Sequence, residues 1–207
     1  MGRIRPRPGH PCRSLDSIVR QYVPGKIILL NGASSSGKST LAAALQARME
    51  EPFWHFSIDH LLAAGILPQK RIDSGEFPWH QARPRFFDGF HRCIPALAGA
   101  GNNLIVEHIV ETQVWMRNLL NLLAHLDVFF VGVHCPLAEL ERRERERGNR
   151  RIGEARADFG TTHAFATYDF EVNSTAPIER NVGEVLAAWR SRVHPSAFER
   201  MIQQATA

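Results

Sequence analysis

Residues 32–40 read Gly-Ala-Ser-Ser-Ser-Gly-Lys-Ser-Thr and fill the pattern G-x-x-x-x-G-K-[ST] at every fixed position. An apolar run, Lys26-Ile-Ile-Leu-Leu-Asn31, precedes it, and Leu41, Ala44, Leu45 and Met49 recur at helical spacing after it. A short apolar run closed by a glycine turn reads as a buried parallel strand. Strand, glycine turn and helix in that order constrain the chain strongly. Gly32 and Gly37 permit backbone angles that turn successive N–H groups inward around phosphate oxygens. The helix that starts near Lys38 aims its positive dipole end at the same anion. The bland alternative, a Gly/Ser turn that merely opens a helix, leaves Lys38 and Ser39 without a reason. The pattern therefore assigns Gly32, Ala33, Ser34, Ser35, Ser36, Gly37, Lys38, Ser39 and Thr40 to nucleotide binding. Lys38 is expected on the β- and γ-phosphates and the Ser39 hydroxyl on Mg²⁺, so ATP and Mg²⁺ are the expected cofactors.

The rest of the chain repeats the alternation. Strands are expected at Phe53–Ile58, Leu104–Val110, Val128–His134 and Tyr168–Val172. Helices are expected from the end of the Gly65–Pro84 loop to about Ala98, then over Val114–Leu126, Pro136–Arg147 and Ile178–Arg192. Residues 149–167 fit neither pattern. Strands alternating with helices predict a three-layer α/β domain with a parallel sheet, whose ligands sit at the carboxyl ends of the strands. The domain is expected over residues 25–207, with a small helical lid at about 141–165. Residues 1–24 form a basic N-terminal extension punctuated by prolines.

Charge locates the basic character. The 207-residue chain has 25 Lys and Arg against 21 Asp and Glu, a net charge of +4. Arg3, Arg5, Arg7, Arg13 and Arg20 against Asp16 account for all of it, leaving 20 basic and 20 acidic residues in the domain. A neutral domain surface argues against nucleic acid as a partner. No apolar run is long enough to span a membrane, and the N-terminus has no apolar signal core. Cys12, Cys93 and Cys135 are odd in number and form no C-x-x-C pair, which fits a reducing cytoplasm.

Chemistry then turns on acids and arginines. Asp59 closes the second strand, where a carboxylate can take the acceptor hydroxyl's proton or align its oxygen for in-line attack. The same residue could simply cap the next helix. The charged run Glu141–Arg147 is a solvated helix in most of its members, yet phosphoryl transfer needs positive charge at the γ-phosphate. Arg147 and Arg150, around the turn at Gly148-Asn149, are the candidates, with Arg143 one turn earlier. Trp79 and His80 are the loop residues best placed for an acceptor pocket. Phe86, Phe90 and Ile94 read as core.

The chain resembles the chloramphenicol phosphotransferase family of P-loop kinases. The resemblance is carried by Ile27–Ser39, Phe56-Ser-Ile-Asp-His-Leu61, Asp127–Cys135, Arg147-Gly-Asn-Arg150, and His163 followed by Tyr168–Val172. It implies ATP-dependent phosphorylation of a hydroxyl on a small molecule and a five-stranded, adenylate-kinase-like sheet. It further implies that Asp59 matches the family's proposed base, and that Arg147 and Arg150 belong to a lid over the phosphates. After strand three the family carries two adjacent acids. Here the pair is Glu107-His108, so Glu107 alone is left to steady Mg²⁺. The Gly65–Arg85 stretch does not read like the drug-modifying enzyme. Two other readings share the scaffold: a nucleoside, nucleotide or polynucleotide 5′-kinase, and a nucleotide-binding toxin or regulatory module. The acceptor and the oligomeric state stay open.

Overall fold

The computed structural model describes residues 22–147 and 152–206. Five strands, β1 (Ile27–Asn31), β2 (Phe53–Ser57), β3 (Asn103–His108), β4 (Val128–His134) and β5 (Phe170–Asn173), form one sheet in the order β2-β3-β1-β4-β5. Every neighbouring pair is parallel. The helices are α1 (Lys38–Gln46), α2 (Ile58–Ala63), α3 (Gln69–Asp73), α4 (Trp79–Gly99), α5 (Gln113–Leu123), α6 (Leu137–Arg147), α7 (Glu154–Phe159), α8 (Ile178–Arg190) and α9 (Ala197–Thr206).

Alternation along β1 sorts the core into two layers. Ile27 and Leu29 join Leu104, Val106 and Phe130 under α4, α5 and α9. Ile28 and Leu30 join Ile105, Phe129 and Val131 under α1 and α8. All five β1 residues are buried, as a strand covered on both faces must be. Each such aliphatic side chain contributes about 1.5–3 kcal/mol on burial.

The structure departs from the sequence expectation in three places. The Gly65–Pro84 loop contains α3, and α4 begins at Trp79, with Pro84 and Pro95 inside the helix. Each proline removes one rung, but burial of Phe90, His91, Ile94 and Ala98 along one face holds the helix together. Residues 154–159 form α7. A ninth helix follows the one expected to close the fold. Phe198 is 2% exposed and meets Phe130 edge-on at 5.2 Å, so α9 completes the layer over β4.

Register brings the functional ends into line. Leu30 pairs with Glu107, Asn31 with His108 and with Gly132, and Ser57 with Glu107. The residues that follow β2, β3, β1 and β4 therefore emerge in that order along the carboxyl end of the sheet.

Candidate active site

The turn after β1 is tightly curled. Ser35 has φ 62° and Gly37 φ 91°, both in the left-handed region. A non-glycine residue there is strained, and such strain persists only where the surroundings enforce it. A Cβ on Gly32 would lie 2.5 Å from the Val133 carbonyl oxygen, so only glycine lets β1 turn this close to β4. The Lys38 Nζ donates to the Gly32 and Ala33 carbonyl oxygens, each at 2.8 Å, and is held inside the turn. Ala33, Ser34, Ser36 and Lys38 are buried, whereas Thr40 is exposed.

Arg143 reaches this turn from α6. Its Nη1 donates to the Ser36 carbonyl at 3.4 Å and to the Ser174 Oγ at 3.2 Å, and its Nη2 to the Ser174 carbonyl at 3.0 Å. Glu139 anchors its Nε at 2.7 Å. The expected lid segment is tied down at the same place. Glu144, 1% exposed, accepts from the Gly153 and Ala155 N–H groups at 2.8 Å and so caps the start of α7. Asp158 of α7 accepts the Ser34 N–H at 2.9 Å, and the Thr162 carbonyl accepts from Asn31 Nδ2 at 2.8 Å. Arg147 lines the cleft; Arg150 lies outside the described residues.

The acids stand across the turn. Ser39 Oγ donates to Glu107 Oε2 at 2.8 Å, and His55 Nε2 lies 2.5 Å from Glu107 Oε1. Burial pushes the Glu107 carboxyl up, but the hydrogen bonds from His55 and Ser39 and the Lys38 charge together hold it below its ordinary value. Hydroxyl and carboxylate are hard oxygen donors at one spot, which fits Mg²⁺ completed by substrate phosphates and water. Among the described residues no group of three or more His, Cys, Asp or Glu side chains forms a self-contained metal site.

Asp59 sits in the first turn of α2, but the cap is Ser57, whose Oγ accepts the His60 N–H at 3.1 Å. The capping role is thus filled by another residue, and Asp59 lines the cleft. His108, beside Glu107, behaves unlike an acid. Its Nδ1 accepts the Ile109 N–H at 2.7 Å, and its Nε2 lies 2.6 Å from His91 Nε2. Burial keeps both rings uncharged: His91 is pushed down to about 4, and His108 well below its usual range. His91 Nδ1 is buried with no partner among the described residues.

A cleft of about 770 Å³ joins these parts. Sheet order sets its axis. Ser174, Ala176 and Ile178, after β5, form one end; the phosphate loop lies in the middle; Asp59 and Leu62, after β2, stand at the other. Trp79, Arg83, Phe87, Ile109 and Glu111 wall that second end. Phe90 and Ile94 are core, as their spacing predicts. Tyr168 and Asp169 are braces outside the cleft. The Tyr168 hydroxyl meets Asn31 Nδ2 at 2.8 Å and His163 Nδ1 at 2.6 Å, while Asp169 accepts the Phe130 and Ala197 N–H groups. His91, Arg83, Glu111 and Asp158 carry no local motif that marks them in the sequence, and His55 reads there only as a strand residue; its contact with Glu107 follows from the β2–β3 register.

A family model described as chloramphenicol phosphotransferase-like protein matches residues 25–190. A protein of Mycobacterium tuberculosis strain H37Rv named "Putative O-phosphotransferase" is 32% identical over 204 residues, spanning 86% of this chain and 88% of the relative. The fold is shared with the Mycobacterium tuberculosis APS kinase, solved with AMPPNP and APS, at a TM-score of 0.62 and 18% identity over 81% of this chain and 99% of that one. It is shared too with a sugar kinase from Janibacter, at a TM-score of 0.62 and 16% identity over 82% and 96% of the two chains.

Proposed function

The chain belongs to the chloramphenicol phosphotransferase-like family, and from that premise we propose that it moves the γ-phosphoryl group of ATP to a hydroxyl of a small molecule. The observation that carries the proposal is the Ser39–Glu107 contact at 2.8 Å, set beside the phosphate loop in a cleft that Asp59 also lines. Lys38 and the N–H groups at the start of α1 would neutralise and orient the phosphates. Ser39 and Glu107 would hold Mg²⁺, which when bound offsets charge on the phosphate oxygens. His55 keeps the Glu107 carboxylate turned toward Ser39. Arg143 and Arg147 add positive charge on the lid side, with Arg150 proposed beside them.

Asp59 takes the proton as the acceptor oxygen bonds to the γ-phosphorus. The bond from that phosphorus to the bridging oxygen breaks, and ADP leaves with the electron pair. In a loose transition state little covalent assistance is needed, so positioning and charge carry most of the rate. The neutral His91–His108 pair adds no negative charge beside Glu107, so one carboxylate serves where the family carries two.

The test is ADP release from ATP and Mg²⁺ with a panel of hydroxylated compounds that includes chloramphenicol, nucleosides and aminoglycosides. At least one should raise ADP release well above the ATP-only background, and Lys38→Ala should abolish both that signal and the protection that ATP gives against heat. Equal ATP protection in the variant and the parent would remove the nucleotide assignment.

A further inference from the structure

We propose that the acceptor is a hydroxy acid, whose carboxylate is received by Arg83 and whose carbon body lies against Trp79 and Phe87. The proposal rests on the phosphotransfer reading and names the acceptor class for it. Arg83 stands on α4 in the wall of the cleft, with its side chain 35% exposed, beside Glu111 at 28%. Both Glu111 oxygens accept from Nη2 alone, at 2.5 and 2.7 Å. A guanidinium carries five N–H groups, two of them on Nη2. The three on Nε and Nη1 have no partner among the described residues.

An arginine whose task is only to tie α4 to the chain before α5 would gain most from a two-nitrogen fork on its carboxylate. Pairing through a single nitrogen leaves donors for a second oxyanion. The guanidinium is also already ordered. It lies 4.7 Å from the Phe87 centroid and 5.0 Å from that of Trp115, and those rings stack at 4.5 Å. A ligand therefore need not immobilise it. Asp59 and Glu111 line the same end, so a second negative charge on the ligand would be repelled. A monoanionic carboxylate fits this balance better than a phosphate dianion. Trp79, Phe87, Leu62 and Ile109 supply an apolar surface for the body that joins carboxylate to hydroxyl.

The test uses matched small compounds on the full chain: aromatic and aliphatic hydroxy acids, their primary amides and their phosphate analogues, such as 4-(hydroxymethyl)benzoate with 4-(hydroxymethyl)benzamide. Binding is read calorimetrically without ATP, and turnover is read separately as ADP release. At least one acid should bind about ten-fold or more tightly than its amide, the usual worth of a charge-assisted hydrogen bond. In the double variant Arg83→Gln/Glu111→Gln, which leaves neither charge unpaired, that ratio should fall to about one while ATP protection persists. If that variant does not fold, Arg83→Lys carries the test, because it keeps the charge and loses the planar fork; the ratio should drop several-fold. The proposal is overturned if no acid outbinds its amide, if the ratio survives the substitutions, or if phosphate analogues outbind carboxylates. If the ratios behave as expected but no acid is phosphorylated while another hydroxylated compound is, the acceptor proposal is overturned and the phosphotransfer reading stands; if no hydroxylated compound at all is phosphorylated, the phosphotransfer reading falls.

Discussion

At Glu107, burial and hydrogen bonding pull in opposite directions, and the hydrogen bonds from His55 and Ser39 win. The result is an ionised acid beside Ser39, which separates its proposed task from that of Asp59. Asp59→Asn should cut kcat by about 10²–10⁴, toward the lower end because the transition state is loose, and leave ATP affinity within a few-fold. Glu107→Gln should instead raise the Mg²⁺ concentration needed for half-maximal rate. Near-parental turnover in Asp59→Asn would move proton transfer to another group. The neighbouring imidazole pair makes a separate prediction about pH. Its folded pKa values lie below the unfolded 6.5, His91 at about 4, so the unfolded chain binds more protons as pH falls. Stability should therefore be full above about pH 6.5 and fall by roughly 1.4 kcal/mol per pH unit per imidazole below it. The fall should continue to about pH 4 for His91. The double variant His91→Leu/His108→Leu should show a flatter dependence in urea unfolding between pH 6.5 and 4; an unchanged slope would remove the pair as its source.

Among the elements, α9 shows how far stabilising contacts lie from the chemistry. Asp169 Oδ1 accepts the Ala197 N–H at 2.6 Å and seats the start of α9 against β4, and Phe198 fills the layer beneath. Phe198→Ala should lower stability by about 3–5 kcal/mol through the cavity it leaves. Because the phosphate loop belongs to the other end of the sheet, the surviving folded protein should keep its KM for ATP within a few-fold. Chemical denaturation gives the first quantity and steady-state kinetics the second. A large change in KM with little loss of stability would mean that α9 props the site rather than the core. On the opposite side, Asp158 of α7, within the expected lid, accepts the Ser34 N–H of the phosphate loop.

For the whole molecule, the charge division matters. The net charge of +4 resides in residues 1–24, while the domain that builds the cleft is neutral. Among the described residues, those lining the cleft run from Ser34 to Asn181. A truncated chain starting at Tyr22 should therefore keep its kcat on any accepted substrate, measured beside a melting curve that reports folding. A large loss of kcat with the melting curve unchanged would make the extension part of the site.

The local patterns were legible because they are contiguous. Gly32–Thr40 holds strand end, turn and helix start in nine consecutive residues, and backbone geometry needs nothing else to shape an anion cradle. Each of the five strands was placed to within a few residues; in β1, β3 and β4 burial on both faces writes itself as a largely apolar run. Asp59, in the first turn of α2, comes two residues after the end of β2. The place of Lys38, Ser39 and Asp59 along the cleft thus follows from chain order alone. His55–Glu107, His91–His108 and Arg83–Glu111 are 52, 17 and 28 positions apart, and no spacing rule links them. They meet only when parallel strands settle into register and α4 lies across the sheet. Register is set by burial of alternate side chains over the whole sheet, so the electrostatic setting of Glu107 and the charge of the acceptor wall were decided by tertiary packing.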